Sequence, residues 1–454
     1  MPRPTADDLP PVLRAAARAI AEPLRGAGFE AWVVGGAVRD LALGRVPGDV
    51  DLATDARPEE IEGLFEHTTA VGRAFGTIVV RPPVGPELGG DAIAVEVTTF
   101  RSDGEYRDGR RPEEVTYGSS VQEDARRRDF TCNALYLDPL DDRFLDPERG
   151  LEDLAAGCLR CVGDARRRFV EDGLRLLRLA RFEARFGLEP EPATLAGARE
   201  AGASLTGVSA ERVLAELRGI FASPRPARAF ARLAELELVE RALPGWRELA
   251  RSAEAERERL ALLVRALEHT GGELPMELGL ALLLDPDPRD ELDAEASVAS
   301  RAAAEACLKG LHPSRREREA VRAVWSDREG LRALLSREVT RRSERLLLMR
   351  RDAWPWLRRA VEAWDAASRG ALLASSRGSF EALVAERDGL SREELFPAPL
   401  LESRDLEAGG IPRGARWGEL LAEVERKQLD EELGDREAAL AWLAGQAPGP
   451  TQTE

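Results

Sequence analysis

VVGGAVRDLALGRVPGDVDL, residues 33–52, is the stretch whose reading decides the fold. The apolar run EAWVV reads as a strand, Gly35-Gly36 as a turn, AVRDLALG as a short helix and VDLAT as a second strand. A strand running through a glycine pair into a helix brings backbone N–H groups and a helix N-terminus to one point. A side chain there would block an approaching phosphate. A tight turn needs the same glycines, and the spacing is neither the Rossmann nor the Walker pattern. Asp49 and Asp51 sharpen the choice. Residues i and i+2 on a strand point to one face, so the two carboxylates converge. Two like charges held together are costly unless a cation lies between them, and hard divalent ions such as Mg2+ prefer oxygen ligands. A two-metal site uses such ions to activate a 3′-hydroxyl and to stabilise a pyrophosphate leaving group. Glu96, in AVEVTT on a later strand, is a candidate third carboxylate.

Outward from this stretch, residues 11–28 read as a helix, and RPEEIEGLF as another opened by Pro58. TIVVR and AIAVEVTTF read as strands joined by the Pro/Gly-rich VGPELGGD, a hairpin with a long loop. RSDGEYRDGRRPEE reads as a mobile loop, and strand-like NALYLD precedes DPERG. After residue 151 strand signals nearly vanish. Helices are predicted at 166–187, 209–221, 225–240 and 255–270, then repeatedly to about 384, with a break at LSREELFPAPL. The expected class is α+β: a small head with a mixed sheet and helices (1–150), then an all-helical neck (151–245), body (246–385) and tail (386–446). Residues 447–454 are expected to be disordered.

Composition bounds the function. At 454 residues the chain is too long for a single core. Nothing resembles a signal peptide or a bilayer-spanning run, so a cytoplasmic protein without membrane attachment is expected. The net charge of −17 argues against loose binding of nucleic acid over the whole surface and leaves room for a local basic track. Only Lys309 and Lys427 are lysines, so nearly all positive charge is arginine, the better bidentate phosphate partner. Cys158 and Cys161 form a lone C-x-x-C with no second pair and no nearby His, so they read as small buried hydrophobes.

GGAVRDLALG, GDVDLAT, YRDGRRPEEV, RRDFTCNAL and EDGLRLLRLARF occur in this order. Together they resemble the motifs of the class II tRNA nucleotidyltransferases, the CCA-adding enzymes, and their relatives the bacterial poly(A) polymerases. That resemblance implies that Asp49 and Asp51 hold the catalytic metals, Mg2+, with Glu96 as a further catalytic carboxylate. It implies that Gly35, Gly36 and Arg39 meet the incoming nucleotide at its triphosphate. Arg128 and Asp129 match the motif that reads the ribose. Asp153 and Arg160 fall in the polar slots of the segment linking head to neck, as a hinge, as support for the site or as a structural salt bridge. Asn133 is expected to be structural, as are Glu211 and Arg212, which buttress the neighbouring helix.

In EDGLRLLRLARF, residues 171–182, Asp172 and Arg175 lie three apart and so are expected to share a helix face. A carboxylate accepts the exocyclic amine of C or A, while a guanidinium donates to the ring nitrogen beside it. G and U present a carbonyl oxygen there, and an unpaired buried polar contact costs roughly 1–3 kcal/mol. Arg178 and Arg181 match positions that bind the nucleotide's phosphates or help to set this protein template. Leu174, Leu177 and Phe182 form the packing face. The resemblance thus implies an enzyme that adds C, C and A from CTP and ATP to the tRNA 3′ end. An A-adding enzyme or a poly(A) polymerase of the same family is the alternative, and a non-catalytic RNA-binding protein a more distant one. The C-terminal stretch resembles the tail of CCA-adding enzymes, with Arg413 and Ala415 where that tail usually has prolines. The three histidines, His67, His269 and His312, include no His-Asp pair, so a fused phosphohydrolase domain is not expected. Oligomeric state is not legible.

Overall fold

The computed structural model describes residues 1–72, 76–82, 93–103, 115–117, 120–250, 252–287, 294–337 and 339–446. It divides into two compact units: residues 1–264 with 271–273 and 310–312, and residues 265–270, 274–309 and 313 onward. The expected head and neck fall together in the first unit.

The described strands are β1 (Ala31–Val34), β2 (Asp51–Thr54), β3 (Thr68–Gly72), β4 (Thr77–Val80), β5 (Val95–Thr99), β6 (Arg101–Asp103), β7 (Val115–Tyr117), β8 (Tyr136–Leu137) and β9 (Phe144–Leu145), with a short parallel pair, β10 (Cys158–Leu159) and β11 (Glu189–Pro190), in the neck expected to be all-helical. A seven-stranded sheet runs β3-β4-β5-β2-β1-β8-β9, with β6 and β7 paired separately. Among the described neighbours of the large sheet only β2 and β5 are parallel; the others are antiparallel. All four residues of β1 are buried, as are Leu52, Ala53 and Thr54 of β2. The near-continuous apolar runs of these central strands therefore reflect a sheet covered on both faces. Helix α1 (Pro11–Gly26) packs beside β1 through Ala16, Ala17, Ile20 and Leu24. Trp32, Val34, Ala53, Phe100 and Tyr136 form a core with Val121 and Ala125. The hairpin of β4 and β5 forms as expected, whereas its loop, 84–91, lies outside the described residues, as does the loop 104–114 between β6 and β7.

Other helices of this unit include α2 (Gly36–Ala42), α3 (Pro58–Leu64), α4 (Val121–Arg126), α5 (Gly150–Ala155), α6 (Ala165–Glu171), α7 (Leu174–Phe186), α8 (Pro192–Glu200), α9 (Ala210–Phe221) and α10 (Pro226–Glu235). Two helix expectations need correction. The segment 225–240 is broken: its helix ends at Glu235, Glu237 takes φ +53°, and a short helix follows at Val239–Ala242. The segment 166–187 is not one helix: α6 stops at Glu171, Asp172 is extended (φ −148°, ψ 103°), and α7 begins at Leu174. The cause is Gly173, which packs so closely on the 3-10 turn Gly202–Gly207 that an added Cβ would lie 2.3 Å from the Ser204 carbonyl oxygen. Gly173→Ala is accordingly expected to lose about 1–3 kcal/mol by overpacking. Gly63→Ala, in α3 with open space around it, should be neutral or gain up to about 1 kcal/mol. Thermal melts of the two variants that ranked the other way would refute the close approach.

Among its described residues the second unit contains helices and no strand. Leu331, Leu346, Leu357, Phe380 and Leu429 anchor one core, and Leu401, Leu406, Ile411, Leu420 and Leu443 another. Its polar interior is closed by Asp285, which pairs with Arg328 and accepts Trp364 Nε1–H at 3.0 Å. Among the described residues no helix is long and apolar enough to cross a membrane.

Candidate active site

Antiparallel pairing sets Val34 of β1 opposite Asp51 of β2, so Asp51 lies beside the Gly35-Gly36 turn. The parallel register of β2 and β5, Leu52 against Val97, brings Glu96 level with Asp51. Asp49 and Glu96 are exposed and Asp51 is half-buried. Burial, then the charges of Asp49 and Glu96, push the Asp51 carboxyl up to about 7, against the pull of Arg128. A cation placed among these like charges would lower the carboxyl again. Among the described residues no three His, Cys, Asp or Glu side chains are gathered tightly enough to enclose an ion by themselves. Such an open set suits Mg2+, which keeps several waters and is shared between one or two carboxylates and a bound phosphate.

The turn itself is shaped for access. Gly35 has φ +65°, a conformation that favours glycine, and opens α2 as its N-cap. A Cβ on Gly35 would sit 3.3 Å from Arg128 Nη1, and one on Gly36 3.7 Å from Arg39 Nη2. Arg128 is fixed by buried Asp124 through Nε and Nη2 at 3.0 and 2.8 Å, and it also donates to the Tyr136 hydroxyl and the Asn133 carbonyl. Burial of Asp124 opposes its ionisation, yet Arg128 and Arg127 hold its carboxyl well below the usual carboxylate range. Arg39 is buried and engaged: it donates to Asp40 at 2.7 and 2.9 Å and to Asn133 Oδ1 at 2.7 Å, and lies 4.2 Å from the Phe186 ring centroid. It thus ties the turn helix to α7.

Asp129 accepts from the Phe130 N–H, from Asn133 Nδ2 at 2.9 Å and from Arg178 Nε at 2.7 Å. Its burial is outweighed by Arg178 and Asn133, which keep its carboxyl well below the ordinary range. Arg181 donates to Glu216 at 2.6 Å over the Phe182 ring, and Gly219 makes room for it, since a Cβ there would lie 2.5 Å from Arg181 Cδ. Leu174, Leu177 and Phe182 are buried as the packing face requires.

Asp172 and Arg175 do not share a helix face. The break between α6 and α7 turns them apart, which corrects the expectation drawn from their spacing. Arg175 points inward, donating to the Arg127 and Arg168 carbonyls at 3.0 and 2.8 Å and to Glu171 at 3.0 Å. Asp172 accepts the Leu174 N–H at 3.1 Å and forms a two-pronged ion pair with Arg212 of α9 at 2.7 and 3.2 Å. Arg212 therefore touches the candidate base reader directly, whereas Glu211 meets His312 at 2.9 Å. Asp153 accepts the Thr131 hydroxyl at 2.7 Å and pairs with Arg160, a salt bridge that backs the segment carrying Asp129.

Sequence reasoning missed three buried acids that hold these arginines: Asp124, Glu171 and Glu216. A usable signal existed for Asp124, because Arg127 and Arg128 follow it at helical i+3 and i+4 spacing. All four cysteines are free.

Residues 31–160 match the family described as the poly A polymerase head domain. Residues 187–249 match the one described as "Probable RNA and SrmB- binding site of polymerase A". The chain is 42% identical over 260 residues to the CCA-adding enzyme of Geobacillus kaustophilus (strain HTA426), covering 55% of this chain and 62% of that one. It is 41% identical over 229 residues to the CCA-adding enzyme of Leuconostoc citreum (strain KM20), covering 50% and 54%. The alignments thus span less than two thirds of the length of these curated relatives. Among solved structures, that of the Bacillus stearothermophilus CCA-adding enzyme in complex with CTP superposes with TM-score 0.65 at 28% identity, covering 96% of this chain and 98% of that one. The Thermotoga maritima CCA-adding enzyme complexed with tRNA-CCA has the same fold, with TM-score 0.62 at 20% identity and 97% of both chains covered. The mixed-sheet head and the helical remainder agree with this fold, and the two matched segments, 31–160 and 187–249, are similar to the head and RNA-binding parts of polymerase A.

Proposed function

We propose that this protein adds C, C and A, taken from CTP and ATP, to the 3′ end of tRNA, with release of pyrophosphate. The observation that carries this reading is the convergence of Asp49, Asp51 and Glu96 beside the Gly35-Gly36 turn, with the Asp51 carboxyl raised to about 7. Those oxygens suit Mg2+ held by Asp49 and Asp51, with Glu96 as a neighbouring carboxylate. When bound, the ion neutralises charge on the phosphates and favours ionisation of the RNA 3′-hydroxyl.

The chain's own residues do the rest. Gly35 and Gly36 admit the triphosphate to backbone N–H groups at the start of α2. Arg128, held at the turn by Asp124, faces the ribose; Asp129 is held by Asn133 and Arg178 and keeps the sugar site in register with α7. Arg39, Arg178 and Arg181 position these elements through Asn133, Asp129 and Glu216. Asp172 accepts the exocyclic amine of C or A. Arg175, bonded to Glu171 and to the Arg127 and Arg168 carbonyls, holds the start of α7 behind Asp172. The helices of the body (246–385) and tail (386–446) hold tRNA through its backbone, which serves every tRNA alike.

The test is incubation of purified protein with tRNAs ending before CCA, after C and after CC, with labelled CTP and ATP given separately and together. C should enter the first two and A the third, and all should end at CCA. Long A tracts on any RNA, or addition of A alone, would overturn the reading.

A further inference from the structure

The last turn of α7 gathers arginines that no acid accounts for. Phe186 is half-buried at its end. Around its ring stand Arg39, Arg45 and Arg185, with guanidinium carbons 4.2, 5.1 and 5.4 Å from the centroid. Arg45 also donates to the Arg185 carbonyl at 3.3 Å. Gly187 follows with φ +73°, and a Cβ there would lie 2.2 Å from Arg225 Nη1, so Arg225 lies against the same corner. Of these four, Arg39 alone has a carboxylate partner among the described residues, Asp40. Among the described residues no carboxylate pairs with Arg45, Arg185 or Arg225, all of them exposed.

In a chain of net charge −17 this is unexpected, since its arginines are otherwise so often paired with acids. Attraction to the helix C-terminus accounts for one arginine at the end of α7. It does not account for three that arrive from separate segments: the loop after α2, α7 itself, and the residue before α10. Like charges crowded on one corner are costly unless an anion lies between them. Stacking on the ring fixes guanidinium planes and leaves their N–H edges as donors, which suits phosphate oxygens. The corner adjoins the nucleotide turn through Arg39, whose Nη2 would lie 3.7 Å from a Cβ on Gly36.

We infer that Arg45, Arg185 and Arg225 form a phosphate site for the RNA strand whose 3′ end is extended, separate from the triphosphate site at Gly35-Gly36. This rests on the tRNA reading above. It names phosphodiester groups as the ligand because the corner opens the segment 187–249 and is set off from the turn by the Arg39 side chain.

The test compares the full-length wild type with Arg185→Ala/Arg225→Ala, and with Arg185→Lys/Arg225→Lys as the charge-keeping control. KM for tRNA and for CTP is measured at about 0.15 M salt, with RNA binding titrated over a salt series. The alanine pair should raise KM for tRNA roughly tenfold and leave KM for CTP unchanged. It should flatten the slope of log K against log salt by about 1.4, the loss of two single-strand phosphate contacts. The lysine pair should restore most of both. A rise in KM for CTP alone would mean that the arginines serve the triphosphate, and a lower melting temperature with neither KM changed would mean a helix cap; either overturns the inference. Wild type that binds RNA with a steep salt slope but adds no nucleotide would sink the tRNA reading instead, and the comparison of slopes would still decide the site.

Discussion

Asp51→Asn should abolish nucleotide addition, by at least about a thousandfold, or about 4 kcal/mol in the barrier, while making the metal-free protein harder to unfold. The two effects have one source. Burial and the charges of Asp49 and Glu96 raise the Asp51 carboxyl from 3.8 to about 7 in the folded state. A folded-state value above the unfolded one means that the fold prefers the neutral acid. The penalty is absent below the unfolded value near 4, grows as pH rises and is complete above about 7. Asparagine keeps the shape without the charge, so the melting temperature at pH 8 without divalent ion should rise by about a few degrees. At pH 4 wild type and variant should converge. Metal binding must displace the same proton, so the apparent Mg2+ affinity of the wild type should fall about tenfold for each pH unit below about 7. Equal melting at pH 8 and pH 4, or a metal affinity flat between pH 6 and 7, would show that the carboxylates do not converge as described. Asp49→Asn should be as inactive, with a smaller gain in stability, because Asp49 is exposed.

What was legible in the sequence was local. The D-x-D pair follows from strand alternation, and the glycine pair from a turn that leads into a helix; both lie within 33–52. The α/β head and the helical remainder follow from periodicity that changes near residue 150. What was not legible depends on contacts between distant segments. Glu96 lies level with Asp51 only because β2 and β5 are parallel neighbours, which no residue in either strand announces. The leucines of EDGLRLLRLARF continue a helical period past Asp172, so nothing in that pattern marks the break. Its cause is the backbone of Ser204 and Leu205, against which Gly173 is pressed. The same break turns Arg175 inward and gives Asp172 a partner from α9. No residue pattern marks Glu216 and Glu171 as buried, because burial of a charge is decided by what packs over it. The arginines around Phe186 come from separate segments and could not be grouped from sequence.

Asp172→Asn is expected to leave metal-dependent chemistry in place and to erase much of the choice among bases. The substitution suits the position because Asp172 has two tasks. One carboxylate oxygen accepts the Leu174 N–H just ahead of α7, a local bond that asparagine makes as well as aspartate. An alanine there would confound the result by losing that bond, about 1 kcal/mol. The second task requires an acceptor facing the amine of C or A. Asparagine can turn an N–H2 group to that place, which suits the carbonyl oxygen of G or U. Removing the mismatch between two acceptors recovers roughly 1–3 kcal/mol, so misincorporation of UTP and GTP relative to CTP and ATP should rise about 5- to 150-fold. The rate with CTP should fall far less than in Asp51→Asn. The ion pair with Arg212 gives the contrast: Arg212→Ala frees the carboxylate without changing its acceptors, so affinity for CTP should shift while the preference for C and A over G and U persists. If Asp172→Asn keeps full selectivity, Asp172 is a structural residue held by Arg212, and the choice of base is made elsewhere on α7. If it loses all activity with wild-type melting, the residue belongs with the carboxylates at the turn rather than with the base.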